Sequence, residues 1–426
     1  MAKTRRFLML QGPHGPFFTR LAAMLTAAGA EVWRVGFNGG DSLFWRDRAR
    51  YLPYRGGLTD WPDWLAACLD ARGITDIVLY GEPRPLHATA LEVARARGLR
   101  THLFEEGYLR PYWVTYERDG TNGHSPLMAL DLDDMLASLV AEAIDMPEAP
   151  ALWGDMREHV LYGAIYHAAV ALGGRRYPGF LSHRGATVGQ EFGLYLRRLA
   201  LMPVHHLQRA VSSRRLRNGG YPYHLVLLQL EHDSSFRAFS PFRSMTDFLD
   251  VVLHGFARGA PGHHHLVFKA HPLEDGRAAL AAAIARRAAA LGVADRVHFL
   301  IGGKLAPMLD SARSVVTVNS TAAQQALWRG LPVKAFGTAV YGKPGFVSDH
   351  PLPAFFADPV PSDLAAYRGY RRFLLKTSQI RGGFYSARGR REVLRRIVDL
   401  MLAEASPYEA ALGAGAAQGQ HLRALP

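Results

Sequence analysis

Short apolar stretches alternate with amphipathic stretches along most of this 426-residue chain, and no other sequence feature limits its fold as strongly. In the first third, the amphipathic stretches have the period of helices, and several of them end at a glycine. Strands are predicted at 7–10, 31–37, 76–80 and 99–104, and helices at 18–28, 61–72 and 85–97. Strands that alternate with helices of about 10–15 residues are typical of a parallel, doubly wound sheet.

The alternation restarts after a glycine-rich stretch near residue 218. Strands are predicted at 223–230, 265–270, 296–300, 314–318 and 332–336, and helices at 245–258, 277–290, 305–312 and 321–328. The predicted organisation is an N-terminal Rossmann-like domain (1–130), a helical segment (131–217), a second Rossmann-like domain (218–345) and C-terminal helices that pack across both domains (346–410). Two such domains with a cleft between them predict an α/β fold of the GT-B type.

Composition excludes several classes of protein. The single cysteine, Cys68, excludes a disulfide framework and a cysteine-based zinc site. The apolar run at 7–10 is too short for a signal peptide, and no stretch reaches the roughly 18–20 apolar residues that span a bilayer. These observations predict a cytoplasmic protein without a membrane span.

The balance of charge indicates an acidic partner. Lysine and arginine number 50 against 37 aspartate and glutamate, a net charge of +13. Nucleic acid, anionic lipid or a phosphorylated small molecule would each suit that surplus, and an arginine-rich composition without functional content would also produce it. Because no zinc finger, RNP motif or continuous basic helix is present, nucleic acid is the weaker choice and we expect none.

Polar clusters follow the predicted strands at the ends where parallel α/β sheets bind ligands. In the first domain they are Gln11-Gly12-Pro13-His14, Asn38-Gly39-Gly40-Asp41 and Glu105-Glu106-Gly107. In the second they are Gln229-Leu230-Glu231-His232-Asp233, Lys269-Ala270-His271-Pro272 and Asn319-Ser320-Thr321. Six clusters at such ends indicate a function that needs carboxylates, amides and cations together.

Each cluster also has a purely structural interpretation. Asp233 could cap the helix that follows it, and Asn319-Ser320-Thr321 could be a helix N-cap as readily as a phosphate site. The triplet His263-His264-His265 invites a metal site, but alternate residues of a strand point to opposite faces. No P-loop or dinucleotide fingerprint occurs, and the six polar clusters contain no Asp-x-Asp motif, so we expect neither a metal nor a cofactor.

An ordered set of motifs resembles a known family. The set comprises Leu10-Gln11-Gly12-Pro13-His14-Gly15-Pro16-Phe17-Phe18, Phe37-Asn38-Gly39-Gly40-Asp41, Phe104-Glu105-Glu106-Gly107-Tyr108-Leu109-Arg110-Pro111, Asn122-Gly123-His124-Ser125, Val318-Asn319-Ser320-Thr321 and Gly382-Gly383-Phe384-Tyr385. Together these motifs resemble capsule polysaccharide biosynthesis and export proteins of the KpsS/LipB type. The resemblance implies a retaining β-Kdo glycosyltransferase that uses CMP-β-Kdo as donor and a phosphatidylglycerol-type lipid as acceptor, and that starts the poly-Kdo linker of a Gram-negative capsule.

The resemblance also implies roles for individual residues. Asp233 matches the expected nucleophile, and Glu105, with Glu106 as the alternative, would be the base that activates the acceptor hydroxyl. The second domain would bind the donor through Gln229, Lys269, His271, Pro272, Asn319, Ser320 and Thr321. The first domain would line the acceptor site or the cleft with Gly12, His14, Asn38, Arg110, Asn122 and His124.

A lipid acceptor implies a peripheral position on the inner face of the inner membrane, where the basic surplus would meet anionic lipid. Other capsule-assembly proteins and the capsule exporter are further expected partners. Two alternatives stay open. One is another GT-B nucleotide-sugar enzyme, with a different donor or an epimerase activity. The other is a non-catalytic scaffold that couples a glycolipid to export.

Overall fold

The structure is a computed structural model that describes residues 4–139, 156–180, 218–272 and 279–413, with isolated positions at 208, 211, 214, 216 and 274. The chain divides into two compact units, the first formed by Met1–Gly185 with Tyr370–Pro426 and the second by Ala186–Gly369. The predicted C-terminal segment 346–410 is therefore shared between the two units. Much of the predicted helical segment 131–217 lies outside the described residues.

The described strands lie close to the predicted ones. They are β1 (Arg6–Met9), β2 (Glu31–Gly36), β3 (Tyr51–Pro53), β4 (Asp76–Tyr80), β5 (Arg100–Glu106), β6 (Trp113–Arg118), β7 (Tyr223–Leu227), β8 (His265–Lys269), β9 (Val297–Leu300), β10 (Ala312–Thr317), β11 (Val333–Ala335) and β12 (Gln379–Arg381). The strands β3, β6 and β12 were not predicted.

The described helices are α1 (Phe17–Ala27), α2 (Gly39–Leu43), α3 (Trp61–Arg72), α4 (Pro85–Ala96), α5 (Leu132–Ala137), α6 (Met156–Leu172), α7 (Ser234–Phe239), α8 (Met245–Gly259), α9 (Leu280–Ala290), α10 (Leu305–Leu309), α11 (Gln324–Leu327), α12 (Leu352–Ala357), α13 (Leu364–Lys376) and α14 (Ala387–Leu402). Short 3-10 turns occur at Asn122–His124, Pro126–Met128, Gly174–Arg176, Ala294–Arg296 and Thr321–Ala323. Within the ranges described, no helix combines the length and apolar character needed to cross a membrane.

The first unit contains a seven-stranded sheet in the order β12-β6-β5-β4-β1-β2-β3. The strands from β5 to β3 are parallel, as the alternation predicts, but β6 is antiparallel to β5 and β12 is antiparallel to β6. The expectation of a wholly parallel sheet is wrong at this edge, because the short loop between β5 and β6 leaves no room for a parallel crossover. The C-terminal segment predicted as helices (346–410) also contains a strand, β12, so that expectation is wrong at this position.

Alternating side chains of β1 divide the core of the first unit into two layers. Phe7 and Met9 face one layer, which also contains residues of α1 and α14, whereas Leu8 and Leu10 face the other, built with α3 and α4. A sheet with helices on both faces is the doubly wound arrangement that the sequence predicts. The carboxyl ends of β5, β4, β1 and β2 consequently share one edge of the sheet.

The second unit contains a five-stranded sheet in the order β11-β10-β7-β8-β9, and every pair in it is parallel. An apolar cluster of this unit packs the buried face of α8 and α9 against β7, β8 and β10. The prediction of an α/β protein with two parallel-sheet domains is confirmed. The order of the strands places the carboxyl ends of β10, β7 and β8 side by side.

Candidate functional site

Two of the predicted donor residues bond to each other at the carboxyl edge of the second unit. Gln229 follows β7 and Asn319 follows β10, and both are buried. Gln229 Nε2 donates to Asn319 Oδ1 at 2.7 Å, and the Asn319 backbone N–H donates to Gln229 Oε1 at 3.0 Å. Asn319 Nδ2 also donates to the carbonyl of Ser235, at 3.2 Å. The pair therefore joins the loops that follow two neighbouring strands.

Asp233 lies in the loop after β7, where it caps α7. Its Oδ1 accepts a hydrogen bond from the backbone N–H of Ser235 at 3.1 Å, and the residue is exposed. Asp233 therefore has the structural role of a helix cap. Its carboxylate is also accessible to solvent, beside the Gln229–Asn319 pair. Glu231, two residues earlier, accepts from the backbone N–H of Met245 at 2.8 Å and so supports the start of α8.

Lys269 is the last residue of β8, next to β7 in the sheet, and its side chain is buried. Burial lowers the pKa of its ammonium group. In the part of the chain that the structure describes, this ammonium has neither an ion-pair nor a hydrogen-bond partner. A buried cation without a counter-charge is costly, and an anionic ligand would remove that cost.

The remaining predicted donor residues lie close by in the chain. His271 is half-buried and Pro272 is exposed, just after β8. Ser320 caps the 3-10 turn that begins at Thr321, its hydroxyl accepting from the Ala322 N–H at 3.3 Å. The helix predicted at 321–328 is instead this turn followed by the four-residue α11, so its dipole is weaker than a long helix would provide.

At the carboxyl edge of the first unit, the hydroxyl of Tyr166 on α6 is the centre of a hydrogen-bond network. Asn38 Nδ2 donates to it at 2.8 Å and Gln11 Nε2 at 3.0 Å, while the hydroxyl donates to Asp41 Oδ1 at 3.3 Å. Asn38 also caps α2 through its Oδ1, and Arg34 pairs with Asp41 at 3.0 Å. Asn38, a predicted acceptor-site residue, is thus buried within a structural network.

Glu105 and Glu106 are the last two residues of β5, and both are half-buried. Glu105 Oε1 accepts from the backbone N–H of Glu106 at 3.2 Å, whereas Glu106 Oε1 accepts from the hydroxyl of Tyr80 at 3.3 Å. Burial, and next the charge of Glu106, raise the pKa of Tyr385. Glu106 therefore faces a group of aromatic side chains at the end of β4 and β5.

His14 belongs to the same aromatic group. Its ring stacks on Tyr385 with the centroids 4.5 Å apart and contacts His159 edge-on at 4.8 Å. Burial lowers the pKa of His159, and the charge of Glu106 opposes that shift. The structure consequently brings two predicted residues, His14 and Glu106, to one side-chain cluster.

His124, another predicted residue, pairs with a carboxylate that sequence reasoning missed. Its Nδ1 lies 2.7 Å from Oε1 of Glu82, whose Oε2 accepts from the Thr121 hydroxyl at 2.9 Å. Glu82 is buried while His124 is exposed. Glu82 follows β4 in Gly81-Glu82-Pro83-Arg84, so the rule about strand ends that selected the other clusters would have selected it too. In the same segment, Arg84 donates to Gln11 Oε1 at 2.8 Å.

Three further predicted residues have local structural roles. A Cβ at Gly12 would lie 2.6 Å from the ring of Phe18, so only glycine fits there. Arg110 Nε donates to the carbonyl of Gly107 at 3.3 Å, within its own loop. Asn122 has φ 53°, and its backbone N–H donates to the Tyr108 hydroxyl at 2.6 Å. In the described ranges, no group of three or more histidine, cysteine or acidic side chains is arranged to hold a metal ion.

Comparison with known proteins identifies the family. The capsule polysaccharide biosynthesis protein family matches residues 75–385, which include both β5 glutamates, Asp233 and Lys269. The chain is 30% identical to the capsule polysaccharide export protein KpsS of Escherichia coli over 387 residues, 89% of this chain and 97% of that protein. The chain belongs to the capsule polysaccharide biosynthesis protein family. The resemblance drawn from the motifs is confirmed.

Other members and structures are also similar to this capsule polysaccharide biosynthesis protein. The capsule polysaccharide modification protein LipB of Neisseria meningitidis serogroup B is 31% identical over 390 residues, 91% of this chain and 93% of that protein. The solved structure of KpsC from Thermosulfurimonas dismutans, a beta Kdo 2,7 transferase, aligns with a TM-score of 0.44 and 14% identity over 93% of this chain and 100% of that one.

Proposed function

We propose that this capsule protein is a glycosyltransferase that moves β-Kdo from CMP-β-Kdo, with retention of configuration, to a phosphatidylglycerol-type lipid, and so starts the poly-Kdo linker of the capsule. The observation that carries the proposal is the buried ammonium of Lys269 at the carboxyl end of β8, which has no counter-charge in the described residues. Membership of a capsule biosynthesis family supports the same assignment.

On the donor side, Lys269 would neutralise an anionic group of CMP-β-Kdo. The donor offers two such groups, the single phosphate of CMP and the carboxylate of Kdo, and each suits a partly desolvated ammonium. The amide pair Gln229–Asn319 joins the loops after β7 and β10. His271 follows β8, and Ser320 and Thr321 follow β10. Binding at this edge would explain why a cation is kept buried at a cost in stability.

Retention is most simply reached by two displacements. In the first, a carboxylate oxygen of Asp233 would attack the anomeric carbon of Kdo, and CMP would leave with the electron pair of the broken bond. In the second, Glu105 or Glu106 would take the proton of the acceptor hydroxyl, whose oxygen displaces Asp233. Each displacement inverts the anomeric carbon, so the product keeps the configuration of the donor.

The contacts at β5 favour Glu106 over Glu105 as the base. Glu106 reaches the hydroxyl of Tyr80 and lies in the cluster with His14 and Tyr385, whereas Glu105 is engaged by a neighbouring backbone N–H. The pair His124–Glu82 would provide a second polar group on the acceptor side. The acceptor lipid would hold the protein at the inner face of the inner membrane, near other capsule-assembly proteins and the exporter.

The decisive experiment measures transfer from CMP-Kdo, generated in situ, to a fluorescent phosphatidylglycerol analogue by mass spectrometry. Asp233→Asn keeps a side chain that can still cap α7 but removes the nucleophile, so we expect a loss of at least about a thousandfold in rate with unchanged thermal stability. Asp131→Asn is the matched control, because Asp131 caps α5 by the same bond to the residue two positions on. That control should keep wild-type activity.

Other outcomes distinguish the alternatives. Product from Asp233→Asn at the wild-type rate would retain the transferase and remove Asp233 from the role of nucleophile. Protection of the protein against thermal unfolding by a UDP-sugar but not by CMP would favour a different donor. An intact, folded protein that makes no product and binds no nucleotide would favour the scaffold for export.

A further inference from the structure

Helix α6 is apolar on the side that packs against the protein and also on the side that faces solvent. At about 100° per residue, the half-buried side chains of this helix fall on one half of its surface and the exposed ones on the other. The packed half contains His159, Tyr162, Tyr166 and Val170. A soluble helix normally presents mostly polar side chains to water on its other half, whereas the only polar residues among the described exposed ones of α6 are Arg157 and His167.

The packed half of α6 is held firmly. A Cβ at Gly39 would lie 2.1 Å from the carbonyl oxygen of Ala169, and one at Gly40 would lie 2.5 Å from the ring of Tyr166. These glycines of the Asn38-Gly39-Gly40 motif let α2 and α6 approach closely, and the Tyr166 hydroxyl adds the hydrogen bonds to Asn38 and Gln11. The outer half of α6 is therefore presented in a fixed orientation at the edge where the acceptor-side residues lie.

The outer half is an apolar stripe, with Leu161 56% exposed, Val160 51% and Ile165 38%. Leu172 at the end of the helix is 89% exposed. The other members of this half are Arg157, Ala164, His167, Ala168 and Ala171, all exposed. The helix has 17 residues, which corresponds to a stripe of about 25 Å in length. An exposed apolar surface of this kind marks an interaction site or an aggregation hazard.

Cations lie at both ends of the stripe. Arg157 is exposed in the first turn, and Arg175 and Arg176 are exposed directly after the helix. Two copies of this chain that paired through the stripe would bring arginines against arginines in either orientation. An apolar strip with cations at its ends instead complements the acyl chains and negative headgroups of an anionic bilayer.

We propose that the stripe Val160, Leu161, Ile165 and Leu172 lies in the interface of an anionic membrane, with α6 parallel to the bilayer plane. This inference deepens the proposed function, since it specifies the surface that brings the first unit to a lipid acceptor. Arg175 and Arg176 contact the headgroups. Docking by α6 keeps Gln11 and His14 within about 10 Å of the membrane surface, one helix diameter, because both side chains contact the packed half of α6.

Vesicle flotation with the full-length protein tests the proposal without any sugar donor. Vesicles of phosphatidylglycerol and phosphatidylcholine are compared with phosphatidylcholine alone, and the wild type is expected to float with the former. Leu161→Ser with Ile165→Ser should lower the partition coefficient at least about tenfold, because two apolar side chains no longer enter the bilayer. Val360→Ser is the matched control, since Val360 is also 56% exposed but belongs to the second unit.

Arg175→Gln with Arg176→Gln should lower binding to phosphatidylglycerol vesicles by several-fold and reduce its dependence on salt. Equal flotation of the wild type and the double serine variant would overturn the proposal, as would a wild type that does not float. A dimer in solution that the serine variant converts to monomer would overturn it in favour of a second copy. Because no donor is present, each of these results is independent of whether the protein transfers Kdo.

Discussion

Glu117 on β6 is a buried carboxyl group whose titration should be measurable as a change in stability. Its Oε2 accepts from the hydroxyl of Tyr108 at 2.7 Å, and its Oε1 accepts from the hydroxyls of Ser125, at 2.6 Å, and Tyr408. Burial raises the pKa of Glu117 to about 7, and the hydroxyl donors oppose that rise. Glu117→Gln replaces the group with a neutral side chain of nearly the same shape.

The expected sign follows from proton linkage. The folded chain keeps the Glu117 proton up to about pH 7, whereas the unfolded chain releases it near 4.5. Stability is therefore fully present below about pH 4.5 and is lost as the pH rises through 7. The interval of about 2.5 pH units corresponds to about 3 kcal/mol at most, at 1.36 kcal/mol per unit. Glu117→Gln has no proton to lose. Its free energy of unfolding, relative to that of the wild type, should therefore rise by up to about 3 kcal/mol between pH 4.5 and 7.

The assay is urea unfolding at several values between about pH 5 and 8, followed by pulsed hydrogen exchange of the peptide that contains β6. Exchange reports on the first unit by itself, which is needed because the two units need not unfold together. Glu92→Gln changes an exposed glutamate on α4, and its free energy of unfolding should have the same dependence on pH as that of the wild type. A constant difference between Glu117→Gln and wild type over the whole range would refute the reasoning.

Three more predictions follow from single contacts. Burial lowers the pKa of His224 to about 3, so the second unit should lose stability as the pH falls from 6.5 toward 3, and His224→Gln should flatten that loss in acid unfolding curves. Gly39→Ala should lower the stability of the first unit by about 1–3 kcal/mol in urea unfolding, because its Cβ meets a backbone carbonyl, whereas Gly174→Ala, which meets nothing within 4 Å, should not. Gln229→Leu should cost about 1–3 kcal/mol, since it leaves the buried amide of Asn319 without this partner, and it should weaken thermal protection by CMP; equal protection would separate the pair from donor binding.

Much of the site could be predicted from the sequence, because the strands and helices of a parallel α/β fold are recognisable from short stretches of neighbouring residues. The apolar runs identify the strands, and the residues that follow each run must then lie at one edge of a parallel sheet. That rule selected Gln229, Lys269 and Asn319 in the second unit and Gln11 and Glu106 in the first. It would also have selected Glu82, which was overlooked in the segment after β4.

Tertiary structure decided what the sequence pattern could not. Several features of the site depend on groups that are distant in the chain. Gln229 bonds Asn319 across 90 residues, and Tyr166 bonds Asn38 across 128 residues. The presence or absence of a counter-charge for Lys269 is likewise decided by residues far from it in the chain. The antiparallel strands β6 and β12 likewise depend on pairing between residues such as Thr115 and Gln379. Local propensity and periodicity determine which segments become strands and helices, and therefore the fold class. Compensation of charge, satisfaction of buried polar groups and the exposed face of α6 are set only by neighbours in space, because the energy of each group depends on what surrounds it.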